Sequence, residues 1–77
     1  MTPSKTLDAK GLSCPLPVLK ARRAIKELAV GEVLRVLATD AGAPKDFVHF
    51  CETTGAELVS SGEPEPGLYV IELRKTR

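Results

Sequence analysis

The chain has 77 residues, too few for a second core, and is expected to form one domain over residues 1–77 that buries only about 60% of its unfolded surface. A formal net charge of +1 gives the whole chain no pull toward nucleic acid or a membrane. No run approaches the roughly 18 apolar residues of a membrane span, and Met1–Lys5 leads into no signal-peptide core, so the expected location is cytoplasmic.

Thr6–Ala9 alternates, with Leu7 and Ala9 on one side and Asp8 on the other, and predicts a short first strand. Lys10–Ser13 turns the chain, and Gly11 supplies the conformational freedom of a tight strand-to-helix connection. From Pro15 to about Leu28, the residues Val18, Ala21, Ile25 and Leu28 recur at spacings of three and four, the stripe of an amphipathic helix, with Gly31 just beyond its end. Its polar side carries Lys20, Arg22, Arg23 and Lys26 with no acid among them. Glu32–Thr39 reads as an interior strand interrupted only by Arg35, and the strand-helix-strand unit predicts a parallel pair with a right-handed crossover.

Asp40–Pro44 is a loop carrying helix-start signals, in which Asp40 caps a turn and Pro44 opens the helix. Phe47, Phe50, Cys51 and Thr54 then mark the buried face of a second helix stopping at Gly55. Ala56–Ser61 predicts a weaker strand, Gly62–Gly67 a hairpin connection, and Leu68–Arg74 a last strand with Tyr69, Ile71 and Leu73 inward. The order β-α-β-α-β-β predicts an α+β two-layer sandwich: a four-stranded mixed sheet with both helices on one face.

Cys14 is the expected working atom. With Pro15 read as the first helical residue, Cys14 becomes the N-cap, facing unpaired amides and the positive end of the helix dipole, which lowers a thiol pKa. Pro17 removes a second first-turn amide, so the helix start is stiff but sparing in donors. A helix end supplies only part of the activation that a thiol of pKa about 8.5 needs; Lys10 or a partner's side chain is expected to supply the rest.

Hydrolytic or acyl-transfer chemistry would need a paired base, and the single histidine, His49, lies far along the chain and reads as a solvent-facing helix residue. Cys14, His49 and Cys51 do not converge as a metal site, because residues two apart on a helix point apart, and neither cysteine belongs to a C-x-x-C pair. Cys51 reads as core. A single activated cysteine without base, metal or resolving partner can still accept a sulfane sulfur and surrender it to another thiolate. Nucleic-acid binding lacks an aromatic platform beside the bases of the first helix.

Asp8-x-x-Gly11-Leu12-x-Cys14-Pro15-x-Pro17-Val18, followed by Gly31-Glu32, Asp40-x-Gly42-Ala43, Phe50-Cys51 and Thr54-Gly55-x-Glu57-Leu58, closely resembles the TusA/SirA-like sulfur-carrier family over nearly the whole chain. The resemblance implies that Cys14 carries a persulfide or thiosulfonate and that no cofactor is needed beyond this covalently held sulfur. It implies a cysteine desulfurase or rhodanese-type donor and a downstream acceptor protein, in tRNA thiolation, molybdenum-cofactor synthesis or dissimilatory sulfur oxidation. Gly11, Pro15 and Pro17 are expected to support the motif, and Lys20, Arg22, Arg23, Lys26 and Asp40 to dock partners. Two departures stand out: Ala41 replaces a proline frequent in the family's loop, and Ala56 a histidine. The rival reading is a non-catalytic regulatory module that uses the same surface.

Overall fold

Six elements follow one another in the computed structural model, which describes residues 3–77: β1 (Lys5–Ala9), α1 (Leu16–Ile25), β2 (Val33–Ala38), α2 (Ala43–Thr54), β3 (Glu57–Glu65) and β4 (Leu68–Arg74). The strands form one sheet in the order β1-β2-β4-β3. β1 runs parallel to β2 from Lys5↔Leu34 to Ala9↔Ala38, as a strand-helix-strand unit requires, and β4 is antiparallel to both β2 and β3. α1 packs on β1 and β2 while α2 packs on β3 and β4, so the helices lie side by side on one face.

The core follows the expected alternation. Leu34, Val36 and Ala38 of β2, Ile71 and Leu73 of β4, and Ala9 of β1 are buried against Ala21 and Ala24 of α1 and Phe47 and Phe50 of α2. Small residues on α1 leave room for a close approach to the sheet, and the two phenylalanines fill the volume under α2. On the open face, the only charge of β2 is answered across the ladder: Arg35 is in register with Glu72, and its Nε donates to Glu72 Oε2 at 3.1 Å while Ser60 Oγ donates to Oε1 at 2.8 Å. Both groups hold the Glu72 carboxyl below the usual carboxylate range, Ser60 foremost.

Several boundaries differ from expectation, the start of α2 among them: it begins at Ala43, with Gly42 as N-cap and Pro44 second. α1 begins at Leu16, because the first helical carbonyl to accept is that of Pro15, from Leu19 N–H at 3.1 Å; Pro15 is therefore the N-cap and Pro17 lies inside the first turn. Cys14 stands one residue outside the cap. At its other end α1 stops at Ile25, and Leu28 reaches the core from the turn that follows, with Gly31 placed before β2 instead of at a helix end. β3 extends to Glu65 and the hairpin narrows to Pro66-Gly67. α2 stops where expected: Gly55, at φ +82°, takes the left-handed cap conformation and donates its N–H to the Cys51 carbonyl at 2.9 Å.

Candidate functional site

The β1–α1 turn is built to leave Cys14 in the open. Gly11, at φ +83°, swings the chain out of β1, and its N–H is held by Thr39 Oγ1 at 2.9 Å, tying the turn to the end of β2. Ser13 O accepts Leu16 N–H at 2.9 Å, a tight turn that carries the chain through Cys14 and Pro15 into α1. Pro17 is fully buried and anchors that first turn, whereas Cys14 and Pro15 are exposed. The rigid segment thus presents sulfur to solvent from a fixed backbone.

Cys14 sits at the head of a groove of about 580 Å³ between the two helices. Pro15, Val18 and Arg22 form its α1 wall; Lys45, Asp46, His49, Phe50 and Thr53 form the α2 wall. The α2 set repeats at intervals of four, 45-49-53 and 46-50, which is one helical face. Phe50 is the floor. Its ring stands edge-on to Phe47, with centroids 6.2 Å apart and planes at 73°, and the Arg22 guanidinium lies 5.6 Å from its centroid.

The electrostatics of Cys14 run opposite to the expectation from a helix end. The thiol is pushed up from its ordinary value, chiefly by the Asp46 carboxylate, a hydrogen-bonding and negatively charged neighbour in the same groove, with slight desolvation and the charge of Asp40 adding to it. The helix start does little to offset this: with prolines at the cap and in the first turn, it offers few N–H donors. α2 meanwhile brings Asp46, in its own first turn, into the groove that Cys14 lines. Lys10 adds no compensating charge.

The basic residues of α1 do not share one face. Arg22 alone lines the Cys14 groove. Lys20 and Arg23 lie on the opposite flank, in a groove of about 370 Å³ with Leu16, Leu19, Lys5 and Glu27, and Lys26 faces Lys75 and Arg77 at the far end of the helices. Asp40 is half-buried before α2, where its Oδ2 accepts Gly42 N–H at 3.1 Å, the turn-capping role expected of it, and its charge also reaches Cys14. His49, distant in sequence, lies across the groove from Cys14, although the group acting on the thiol is Asp46. Cys51 packs against the core, half-buried, and burial pushes its thiol up. Among the described residues no three His, Cys, Asp or Glu side chains gather to hold a metal, and no helix is long and apolar enough to cross a membrane. Lys45, Asp46, His49 and Thr53 escape a reading of the sequence; their four-residue spacing beside Phe50 is the one signal that could have marked them.

An exposed cysteine on a proline-stiffened turn, at the head of an inter-helix groove in a β-α-β-α-β-β sandwich, defines a class of small thiol-bearing α+β proteins. The chain belongs to the TusA sulfurtransferase family, whose model, described as "Sulfurtransferase TusA", matches residues 5–75. It is 46% identical over 70 residues to the sulfur carrier protein TusA of Allochromatium vinosum, covering 91% of each chain. It is likewise 46% identical over 70 residues to the sulfur carrier protein TusA of Pseudomonas entomophila, covering 91% of this chain and 86% of that one. The crystal structure of a SirA-like protein from Desulfitobacterium hafniense superposes with a TM-score of 0.82 at 27% identity, covering 95% of this chain and 99% of that one. The family and fold expected from the Cys-Pro-x-Pro frame are therefore those found.

Proposed function

We propose that the protein is a sulfur carrier whose Cys14 accepts sulfane sulfur as a persulfide and relays it from a cysteine desulfurase or rhodanese-type donor to an acceptor protein in the cytoplasm. The observation that carries this reading is the exposure of Cys14 on a rigid turn beside a groove of about 580 Å³. In the forward step the Cys14 thiolate attacks the terminal sulfur of a donor persulfide. A new S–S bond forms on Cys14, the donor's own S–S bond breaks, and its electron pair leaves on the donor cysteine, which takes up the proton that Cys14 gave up. No net oxidation occurs. Release to an acceptor thiolate is the same displacement reversed in role, and neither step needs a cofactor.

Gly11, Pro15 and Pro17 serve by holding the turn. Partner docking falls first to Arg22, which lines the groove of the cysteine, and to Asp40, whose charge reaches it, and then to Lys20, Arg23 and Lys26 on the flanks, where surface charge speeds encounter more than it tightens a complex. The test is incubation with a persulfidated donor followed by intact mass. One added sulfur, ~32 Da, removed by reductant, is expected for the wild type. A Cys14→Ser variant that gains the same mass overturns the reading.

A further inference from the structure

Asp46 is half-buried in the first turn of α2, on the groove wall opposite Cys14, and it makes no ion pair among the described residues. This is unexpected in a groove that also holds Arg22, Lys45 and His49. Arg22 is taken up by the Phe50 ring at 5.6 Å, and Lys45 and His49 project from neighbouring positions of the same helix without reaching the carboxylate. The second carboxylate near the thiol, Asp40, is engaged by the Gly42 N–H. Asp46 is thus a carboxylate with no ion-pair partner among the described residues, lining the same groove as the nucleophile.

A carboxylate is a poor neighbour for a thiol that must ionise to react, since it both accepts the thiol hydrogen and repels the thiolate. Around Cys14 stand Asp40 from the loop, Arg22 from α1, and Lys45, Asp46 and His49 from α2; the influence at the sulfur is foremost that of Asp46, with slight desolvation and Asp40 behind it. In the free protein these carboxylates therefore favour the Cys14 thiol over its thiolate. A positive charge brought by another molecule would reverse it. We infer that Asp46 is a positioning residue on which a cationic side chain of the sulfur donor docks, and that this pairing is what releases Cys14 to react. The inference rests on Cys14 being the carrier thiol. It adds a residue that selects a donor with a lysine or arginine beside its persulfide, so that docking and activation are one event.

Two measurements on the intact protein test this without sulfur loading. In the first, alkylation of Cys14 by neutral iodoacetamide is followed from pH 6 to 10 by the mass of the tryptic peptide Gly11–Lys20, which contains Cys14 alone. Asp46→Asn is expected to move the rate profile to lower pH and to raise the rate at pH 7 at least about threefold, while Asp46→Glu, which keeps the charge, retains the slow wild-type profile. In the second, the rate with cystamine, a cationic disulfide, is divided by that with neutral hydroxyethyl disulfide and normalised to free cysteine. The wild-type ratio is expected to exceed one by about threefold or more, and to fall toward one in Asp46→Asn. Superimposable alkylation profiles, or a ratio that ignores Asp46, overturn the inference. Failure of the wild type to load sulfur would instead overturn the carrier reading and leave these two results standing.

Discussion

Replacing Phe50 with leucine removes the aromatic ring on which the groove is floored while keeping most of the apolar bulk. Phe50 is 3% exposed, so its contacts are those of a core residue. The edge-to-face pair with Phe47, at 6.2 Å, is worth about 0.5–1.5 kcal/mol beyond area burial. The Arg22 contact at 5.6 Å, on an exposed guanidinium, adds about 0.5–1 kcal/mol. Phe50→Leu should therefore cost about 1–2.5 kcal/mol before any void is counted. A double-mutant cycle separates the two parts. Arg22→Met keeps the stem that packs along the helix and deletes the charge. Its cost in the Phe50→Leu background should be smaller than in the wild type by about 0.5–1 kcal/mol. Urea denaturation at 25 °C, compared through midpoints at unchanged m, is the assay. A coupling energy below about 0.2 kcal/mol would refute the claim that the ring holds Arg22 and keeps it from Asp46.

Other consequences follow from the same contacts. Gly55→Ala forces a Cβ into the left-handed cap of α2 and should cost about 1–2 kcal/mol, a fall in Tm of roughly 4–16 °C for a domain of this size; an unchanged Tm would contradict the cap assignment, and Gly55→Asn should fall less. Because burial raises the Cys51 thiol, the folded chain holds that proton more tightly than the unfolded one. The resulting stability is complete below the unfolded thiol's pKa and is lost as pH rises through the folded value. Urea midpoints at pH 8 and pH 10 should thus draw closer together in Cys51→Ala than in the wild type, and an identical difference in both would show that Cys51 is not shielded from water.

How far the sequence could be read depends on where the information lay. β1, α2 and β4 were legible because each buries one face with its full period: Leu7 and Ala9, then Phe47, Phe50 and Cys51, then Tyr69, Ile71 and Leu73. Gly55 ended α2 visibly, since a left-handed cap selects glycine. β3 was not legible beyond Ser61. It is an edge strand whose register shifts between Leu58 and Ser60 and again between Gly62 and Glu65, almost every residue is exposed, and Pro64 is tolerated only because no strand lies beyond it. Such a strand has no alternation to read.

The site divides in the same way. The α1 half is contiguous, so Gly11, Cys14, Pro15 and Pro17 could be identified together. The α2 half depends on how two helices pack across a groove, and nothing local links Asp46 or His49 to a cysteine more than thirty positions earlier. The sign of the electrostatic effect on Cys14 was lost for this reason. A helix start read alone promises activation; two prolines strip its donors, and a carboxylate from the neighbouring helix decides the balance. The four bases of α1 teach the converse. They fall within seven residues, yet they face three different grooves, because residues at 20, 22, 23 and 26 point around the helix and not along one side.

The central claim is that sulfur rides on Cys14, and the digestion map of the chain allows a direct measurement. Trypsin leaves Cys14 in Gly11–Lys20 and Cys51 in Asp46–Arg74. After incubation with a persulfidated donor, acid quench and peptide mass analysis, the added ~32 Da should sit on Gly11–Lys20 and disappear with reductant. Sulfur found on Asp46–Arg74, with Gly11–Lys20 unmodified, would contradict the account.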